Sequence, residues 1–218
     1  MLGNRGGSAW RAVVADIYDS ERMGDVVLDG LADSLSGADL DPMLEFFESK
    51  RGQRIIALEL SARQALLDDE VEALATERYE DLKSEGDPRI DLLTDFIEAN
   101  DLIDSNVVGG LNANYAFYQG LRDGGALDGS FGEAEILADV WSQEEAIRTD
   151  TTQWVYTYLA MAYQPLEDAD IEAYTEFSES EAGRRLNRAL FDAFDAMYTG
   201  ISHTLGRTAA TYLSGEDI

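Results

Sequence analysis

The sequence contains no cysteine and one histidine, and each scarcity removes a class of site. Without cysteine there are no disulfides, thiolate metal sites or cysteine nucleophiles. With His203 as the single histidine, a metal site built on several imidazoles is excluded, and no nucleophile elbow lies near it. The sequence therefore predicts no metal site, no cofactor and no catalytic residue.

Basic residues are also scarce, since 16 Lys and Arg stand against 44 Asp and Glu, which gives a net charge of −28. Nucleic acids and anionic membrane surfaces bind through basic patches, so we expect neither as a partner. No apolar run of membrane-spanning length occurs, so we also expect no membrane span. Two explanations of the acidity stay open: a general solvated surface, as in proteins from saline habitats or exported acidic proteins, or a surface for cations or a basic partner.

A ten-residue stretch occurs twice. It reads EFFESKRGQR at residues 45–54 and EFSESEAGRR at residues 176–185, and a shift of 131 residues aligns the two without a gap. Seven of the sixteen positions of 39–54 are identical in 170–185, which favours an internal duplication over a chance likeness of two helix starts.

Each copy of this box predicts a tight corner between two helices. Ser49 and Ser180 follow one apolar-periodic segment and precede another, which is the position of an N-cap. Gly52 and Gly183 then fall within the new helix, where glycine indicates that another part of the backbone comes close. An alternative function for the box is an anion site at the helix N-terminus, which the box arginines would complete. Those candidate anion-binding residues are Arg54 and Arg185.

The pattern F-x-x-S-x-x-G occurs in both copies and is followed by Gln53 in the first and Arg184 in the second. It resembles the F-x-x-S-x-x-G-[KR] box of the bacterial domain-of-unknown-function family 2059. Lys50 and Glu181 stand where the family usually has proline. The segments GGLNANYAFYQGL (109–121) and ALFDAFDAMY (189–198) resemble its longer members. The resemblance implies an all-helical protein that is exported to the periplasm or beyond. Because the chain opens with MLGNRGGS, it implies a form that begins inside a longer precursor, after removal of a signal peptide.

Helical periodicity runs through the whole chain and no strand pattern is found, so we predict an all-α, internally duplicated multi-helix domain. In it, two similar helical units pack around a central helix pair. The predicted divisions are a flexible segment (1–7), a first repeat unit (8–86), central helices and a loop (87–129) and a second repeat unit (130–218). A capping box at Ser130 and Glu133 would begin the second unit.

The unduplicated middle carries the remaining candidate site. Amide and phenol side chains recur at helical spacing there, and such groups give directional hydrogen bonds without charge. The candidate ligand-binding residues are Asn112, Asn114, Tyr115 and Tyr118. The alternative is that these groups satisfy one another and the backbone at a crowded helix crossing.

Three functions follow from these patterns. The first is a non-enzymatic protein of the cell envelope that acts through a protein partner or a homodimer. The second is a small polar ligand bound in a cleft near residues 106–118. An enzyme is the least supported, because none of the acidic residues can be paired for acid–base chemistry from the sequence.

Overall fold

The computed structural model of the protein describes residues 7–127 and 132–214, and within them every regular element is an α-helix. The all-α prediction is thereby confirmed. The helices are α1 (Gly7–Ile17), α2 (Ser20–Ser34), α3 (Asp41–Glu48), α4 (Lys50–Ala65), α5 (Asp69–Glu85), α6 (Arg89–Ala99), α7 (Leu102–Asp123), α8 (Glu133–Ser142), α9 (Glu144–Tyr163), α10 (Asp168–Glu179) and α11 (Glu181–Ser214). Most of the predicted flexible segment (1–7) and Ser130 of the predicted capping box lie outside the described residues.

Local capping explains several of the helix ends. Asp68 accepts hydrogen bonds from the backbone N–H groups of Glu70 (2.9 Å) and Val71 (3.4 Å), which satisfies donors that the first turn of α5 leaves free. Gly86 ends the same helix in the left-handed region at φ 65°, a conformation that glycine adopts without steric cost. Both ends lie where the sequence predicts them.

The break between α8 and α9 differs from the prediction. The sequence indicates helices at about 131–147 and 150–163, whereas the structure breaks the chain at Gln143. No glycine or proline lies between 133 and 164, so the sequence carries no break signal there. The side chain of Gln143 donates to Asp139 Oδ2 (3.0 Å), one turn earlier, and accepts from Asn114 Nδ2 (2.9 Å) on α7, a contact that only the folded chain provides.

The chain forms two compact units, each built from segments that are distant in sequence. Unit 1 consists of Met1–Ser36, Val107–Ile147 and Ala189–Ile218, and unit 2 consists of Gly37–Asn106 and Arg148–Arg188. The long helices α7, α9 and α11 each contribute residues to both units. These units do not test the predicted division into two sequence repeats, which stays a prediction.

Unit 2 has a core of buried apolar side chains drawn from α4, α6, α9 and α10. Its members are Ile55, Ala62, Leu93, Phe96, Ile97, Val155, Tyr158, Leu159, Ala162, Tyr163, Leu166 and Ile171. Arg89 fixes the turn between α9 and α10, because its Nη2 donates to the carbonyl oxygens of Tyr163 (2.6 Å) and Leu166 (2.7 Å). The same guanidinium pairs with Asp168 through Nη1 at 2.9 Å. One side chain thus bonds to carbonyl groups at the end of α9 and in the turn that follows it.

In unit 1, helices α7 and α11 approach closely through glycines. A Cβ on Gly120 would overlap the carbonyl oxygen of His203, and one on Gly206 would overlap that of Phe117. A small core lies alongside, where Leu121, Ala209 and Ala210 are buried. Gly109 and Gly110, a pair that indicates close packing or a kink, lie inside the continuous helix α7, and a Cβ on Gly110 would lie 3.4 Å from Ile147 Cγ2.

Candidate functional site

The two sequence boxes form two corners with matching hydrogen bonds. In the first, Ser49 Oγ donates to Phe46 O (2.6 Å) and accepts from Gly52 N (3.0 Å). In the second, the Oγ of Ser180 donates to Phe177 O at 2.6 Å and accepts from Gly183 N at 3.0 Å. The N-cap predicted for each serine is therefore confirmed, and both corners belong to unit 2.

The glycine in each corner faces the last turn of the preceding helix. A Cβ on Gly52 would overlap the carbonyl oxygen of Phe46 and lie 2.8 Å from Phe47 Cα. A Cβ on Gly183 would overlap Phe177 O and lie 2.8 Å from Ser178 Cα. The two corners also touch, because the rings of Phe46 and Phe177 stack with centroids 4.4 Å apart. The box therefore builds a shared aromatic joint inside unit 2, and the duplication that would explain it stays a prediction.

The predicted anion-binding arginines lie at these corners. Arg54 donates to the carbonyl oxygen of Pro165, and its Nη1 lies 3.8 Å from Asp170 Oδ2. Arg51, which the sequence does not single out, donates from Nε to Asp170 Oδ1 at 2.7 Å. Arg185 is half-buried on α11. An anion at the first corner would have to displace the carboxylate of Asp170, so the role of Arg54 and Arg185 stays a prediction.

The predicted ligand-binding residues lie on α7 in unit 1, and two of them join one hydrogen-bonded network. Asn114 Nδ2 donates to Gln143 Oε1 (2.9 Å), and Gln143 Nε2 donates to Asp139 Oδ2 (3.0 Å). Tyr118 OH donates to the same Asp139 oxygen at 2.6 Å. The hydrogen bond to Asp139, together with burial, raises the pKa of the Tyr118 phenol and keeps it the donor.

The other two predicted residues pair separately, each with an acidic side chain. Asn112 Nδ2 donates to Asp195 Oδ1 (3.0 Å), and Tyr115 OH donates to Glu133 Oε1 (3.0 Å). Both of these bonds are exposed to solvent. Sequence reasoning missed the acceptors, because an Asp or Glu on another helix cannot be assigned to a partner before the helices are packed. Whether the four residues hold a ligand stays a prediction.

A partly buried carboxyl in unit 2 is a further group that the sequence does not reveal. Glu59 Oε1 accepts from Tyr163 OH at 2.6 Å, and Tyr158 OH donates to the backbone oxygen of Glu59 at 3.3 Å. Burial raises the pKa of the Glu59 carboxyl, while the Tyr163 hydrogen bond and the charge of Arg63 oppose that rise. The Arg63 guanidinium packs over the Tyr158 ring, 4.9 Å from its centroid. This carboxyl contributes to the aromatic packing of α4 on α9.

Other acidic side chains line an open cleft or lie in an exposed pair. An open cleft of about 560 Å³ in unit 2 is lined by Asp95, Glu98, Ala99, Thr175 and Glu179. His203 Nε2 lies 3.0 Å from Asp123 Oδ2, and the pair is exposed. Across residues 7–127 and 132–214, no three His, Cys, Asp or Glu side chains are grouped as a metal ion would require.

The outward face of α8 in unit 1 is apolar. Ile136 and Val140 point inward and are 0% and 3% exposed. On the other side, Leu137 is 40% and Trp141 is 65% exposed. With the exposed Ala134 and Ala138 they follow the i, i+3, i+4, i+7 spacing that places side chains on one helix face. We call these four residues the α8 stripe. The sequence shows this spacing but not which face of α8 points outward. Ile136 and Val140 mark a second apolar face, and the sequence alone does not show which of the two is buried.

None of the described helices is long and apolar enough to cross a bilayer.

One comparison with known proteins gives a match, and the matching stretch includes the first box. No curated protein and no solved structure matches the chain. Residues 21–81, which span the first box but not the second, match the family model described as an uncharacterized protein conserved in bacteria (DUF2059). The resemblance suggested by the box is therefore confirmed over α2 to α5, and in that stretch the chain is similar to a bacterial family of unknown function.

Proposed function

We propose that the protein is a non-enzymatic, exported helical protein that acts by binding another protein through the α8 stripe. The observation that carries this proposal is the exposure of Trp141 and Leu137 on a helix whose opposite face is already buried. A helix that is apolar on both faces is expected to be covered on both. The uncovered side of α8 therefore suits a partner.

The chemistry of the stripe supports a protein contact. Tryptophan is enriched among the residues that dominate binding energy, because a large rigid ring buries much area at little entropic cost. Ala134 and Ala138 lie on the same face, and their small side chains let another backbone approach α8. Trp141 would thus act as the anchor and the alanines as the surface on which the partner lies.

Export is the second part of the proposal and is supported by the family resemblance alone. The natural gene product, expressed in its own host, can be followed by fractionation into cytoplasm, periplasm and medium. We expect it outside the cytoplasm, and recovery with cytoplasmic marker proteins would contradict export while leaving the α8 contact open.

The contact can be tested by site-specific photocrosslinking in the host cell. A benzophenone amino acid at Trp141 or Ala138 should give a crosslinked protein adduct. The same group at Thr204, which is exposed on α11 of the same unit, is the control and should give none. Absence of adducts at 138 and 141, or equal adducts at all three positions, would contradict the proposal.

A second candidate function is the binding of a small polar ligand near residues 106–118. It is supported by the exposed pairs Asn112–Asp195 and Tyr115–Glu133, whose side chains could exchange these partners for a ligand. Side-chain amide signals of Asn112 and Asn114, followed by NMR during titration with neutral monosaccharides, should shift for such a binder. Unchanged amide signals would count against sugars as the ligand.

A further inference from the structure

We propose that the partner segment seated on the α8 stripe is a basic amphipathic helix of another protein, rather than a second copy of this chain. This inference rests on the proposed function of the stripe and adds the chemistry of the occupant. It follows from the charges around α8 and from the shape of its outward face.

The charge on α8 itself is of one sign. From Glu133 to Ser142 the helix has three acidic residues, Glu133, Glu135 and Asp139, and no Lys or Arg. Asp139 accepts hydrogen bonds from Tyr118 and Gln143, and we call the two exposed residues, Glu133 and Glu135, the acidic rim. A second copy packed two-fold on α8 would bring the same acidic residues against these, and like charges placed together across an interface are unfavourable. The net charge of −28 on each copy adds a general repulsion. Lys and Arg on the occupant remove both penalties.

The stripe also fits a helix in size. Helix α8 has 10 residues, which is about 15 Å of helix axis. Ala134 and Ala138 are one turn apart and lie on the same face as Leu137 and Trp141, so the surface offers small side chains beside large ones. An amphipathic helix lays its apolar face on such a surface through residues spaced i, i+3, i+4 and i+7. Flanking Lys or Arg would then stand over the acidic rim.

Apolar and charged groups have separate roles in this contact. Exposed ion pairs contribute little free energy each, so the affinity must come mainly from burying the stripe. The acidic rim instead accelerates association with a basic partner and disfavours acidic ones, an effect that salt screens. Binding should therefore require both amphipathic spacing and positive charge in the partner segment.

Synthetic peptides test the two requirements separately. The probes are an 18-residue Leu/Lys peptide with helical spacing, a second peptide of identical composition with that spacing scrambled, and a Leu/Glu peptide with helical spacing. Binding to the full chain is measured by fluorescence anisotropy of the labelled peptides at physiological ionic strength. We expect the helical Leu/Lys peptide to bind at least about 10-fold more tightly than either of the others. Equal binding of the two Leu/Lys peptides, which would indicate charge alone, overturns the proposal.

Two matched variants test whether the peptide binds at the α8 stripe. Trp141→Ala should weaken binding of the helical Leu/Lys peptide by about 10-fold, as expected for loss of an anchor residue. Leu74→Ala removes a side chain of similar exposure, 66%, from the acidic helix α5 of unit 2, and should leave binding unchanged. Circular dichroism confirms that both variants are folded. Equal effects of the two substitutions would overturn the location on α8.

The photocrosslinking experiment separates this inference from the proposed function. If position 141 crosslinks to an acidic segment or to another copy of this chain, the stripe is still a protein contact but the basic helix is wrong. If positions 138 and 141 give no adduct, the proposed function itself fails.

Discussion

At the scale of single residues, Glu59 shows how one carboxyl among 44 acidic residues acquires a distinct environment. Its oxygen accepts a hydrogen bond from Tyr163, which is 0% exposed, and the aromatic side chains of α9 and α10 exclude water around it. Glu59 is the only acidic residue between Ser49 and Leu67 and is flanked by Leu58 and Leu60, but the sequence does not show which helix packs over it. The serine caps are the opposite case: Ser49 and Ser180 act within three residues of themselves, so the sequence predicts them.

The raised pKa of Glu59 predicts a pH-dependent contribution to stability. A carboxyl whose pKa is higher in the folded state favours folding when protonated, so its contribution is present below the unfolded value and is lost as pH rises through the folded value. Glu59→Gln imitates the protonated acid. We expect the variant to gain stability relative to the wild type as pH rises from about 4 to 8, measured by urea unfolding at each pH.

The control for this experiment is Glu77→Gln, which changes an exposed side chain on α5. Its stability relative to the wild type should vary less over the same pH range. A Glu59→Gln variant that becomes less stable than the wild type toward high pH would contradict the assigned role of burial.

At the scale of elements, the helices were largely predictable and their partners were not. Periodicity and caps predict α2, α4, α5 and α6 to within two residues of the observed ends. The break at Gln143 could not be predicted, because no glycine or proline marks it and the Asn114 side chain that bonds to Gln143 lies on another helix. The tight contacts of α7 with α11 lie at Gly120 and Gly206, which the sequence does not single out.

The corner glycines give a prediction that belongs to this scale. Gly52→Ala and Gly183→Ala each force a Cβ against the carbonyl oxygen that ends the preceding helix. Overpacking of this kind typically costs about 1–3 kcal/mol. We therefore expect each variant to lose about that much free energy of unfolding in urea denaturation.

Gly200→Ala is the matched control, since Gly200 lies on the same helix as Gly183 and a Cβ there would meet nothing within 4 Å. It should raise the free energy of unfolding by about 0.5–1 kcal/mol, because alanine is the better helix former. Equal stabilities of Gly183→Ala and Gly200→Ala would show that the corner does not require glycine.

At the scale of the whole molecule, composition determines behaviour that no single contact controls. The ion pairs among described residues include Arg51–Asp170, Arg89–Asp168 and Arg148–Asp104, yet acidic side chains exceed basic ones by 44 to 16. The excess negative charge must repel itself in the compact state. This property, unlike the composition of the two units, was readable from the sequence before any helix was placed.

Salt should therefore stabilise the protein. Raising NaCl from about 0.01 M to 1 M shortens the screening length from about 30 Å to about 3 Å, which weakens long-range repulsion more than contact ion pairs. We expect the melting temperature, measured by differential scanning calorimetry, to rise by several degrees. Sucrose at matched osmolality serves as the control for excluded-solute effects, and a melting temperature that stays flat or falls with NaCl would contradict self-repulsion as the dominant charge effect.

The interleaved composition of the two units has a consequence for synthesis. Unit 2 needs Arg148–Arg188 before its core can close on Gly37–Asn106, and unit 1 needs the segment that starts at Ala189. A growing chain therefore cannot complete either unit until most of its residues have left the ribosome, and loops of about forty residues or more must close before the long-range contacts form. Neither unit closes until late in synthesis, so a long stretch of nascent chain is available to chaperones before its long-range contacts form.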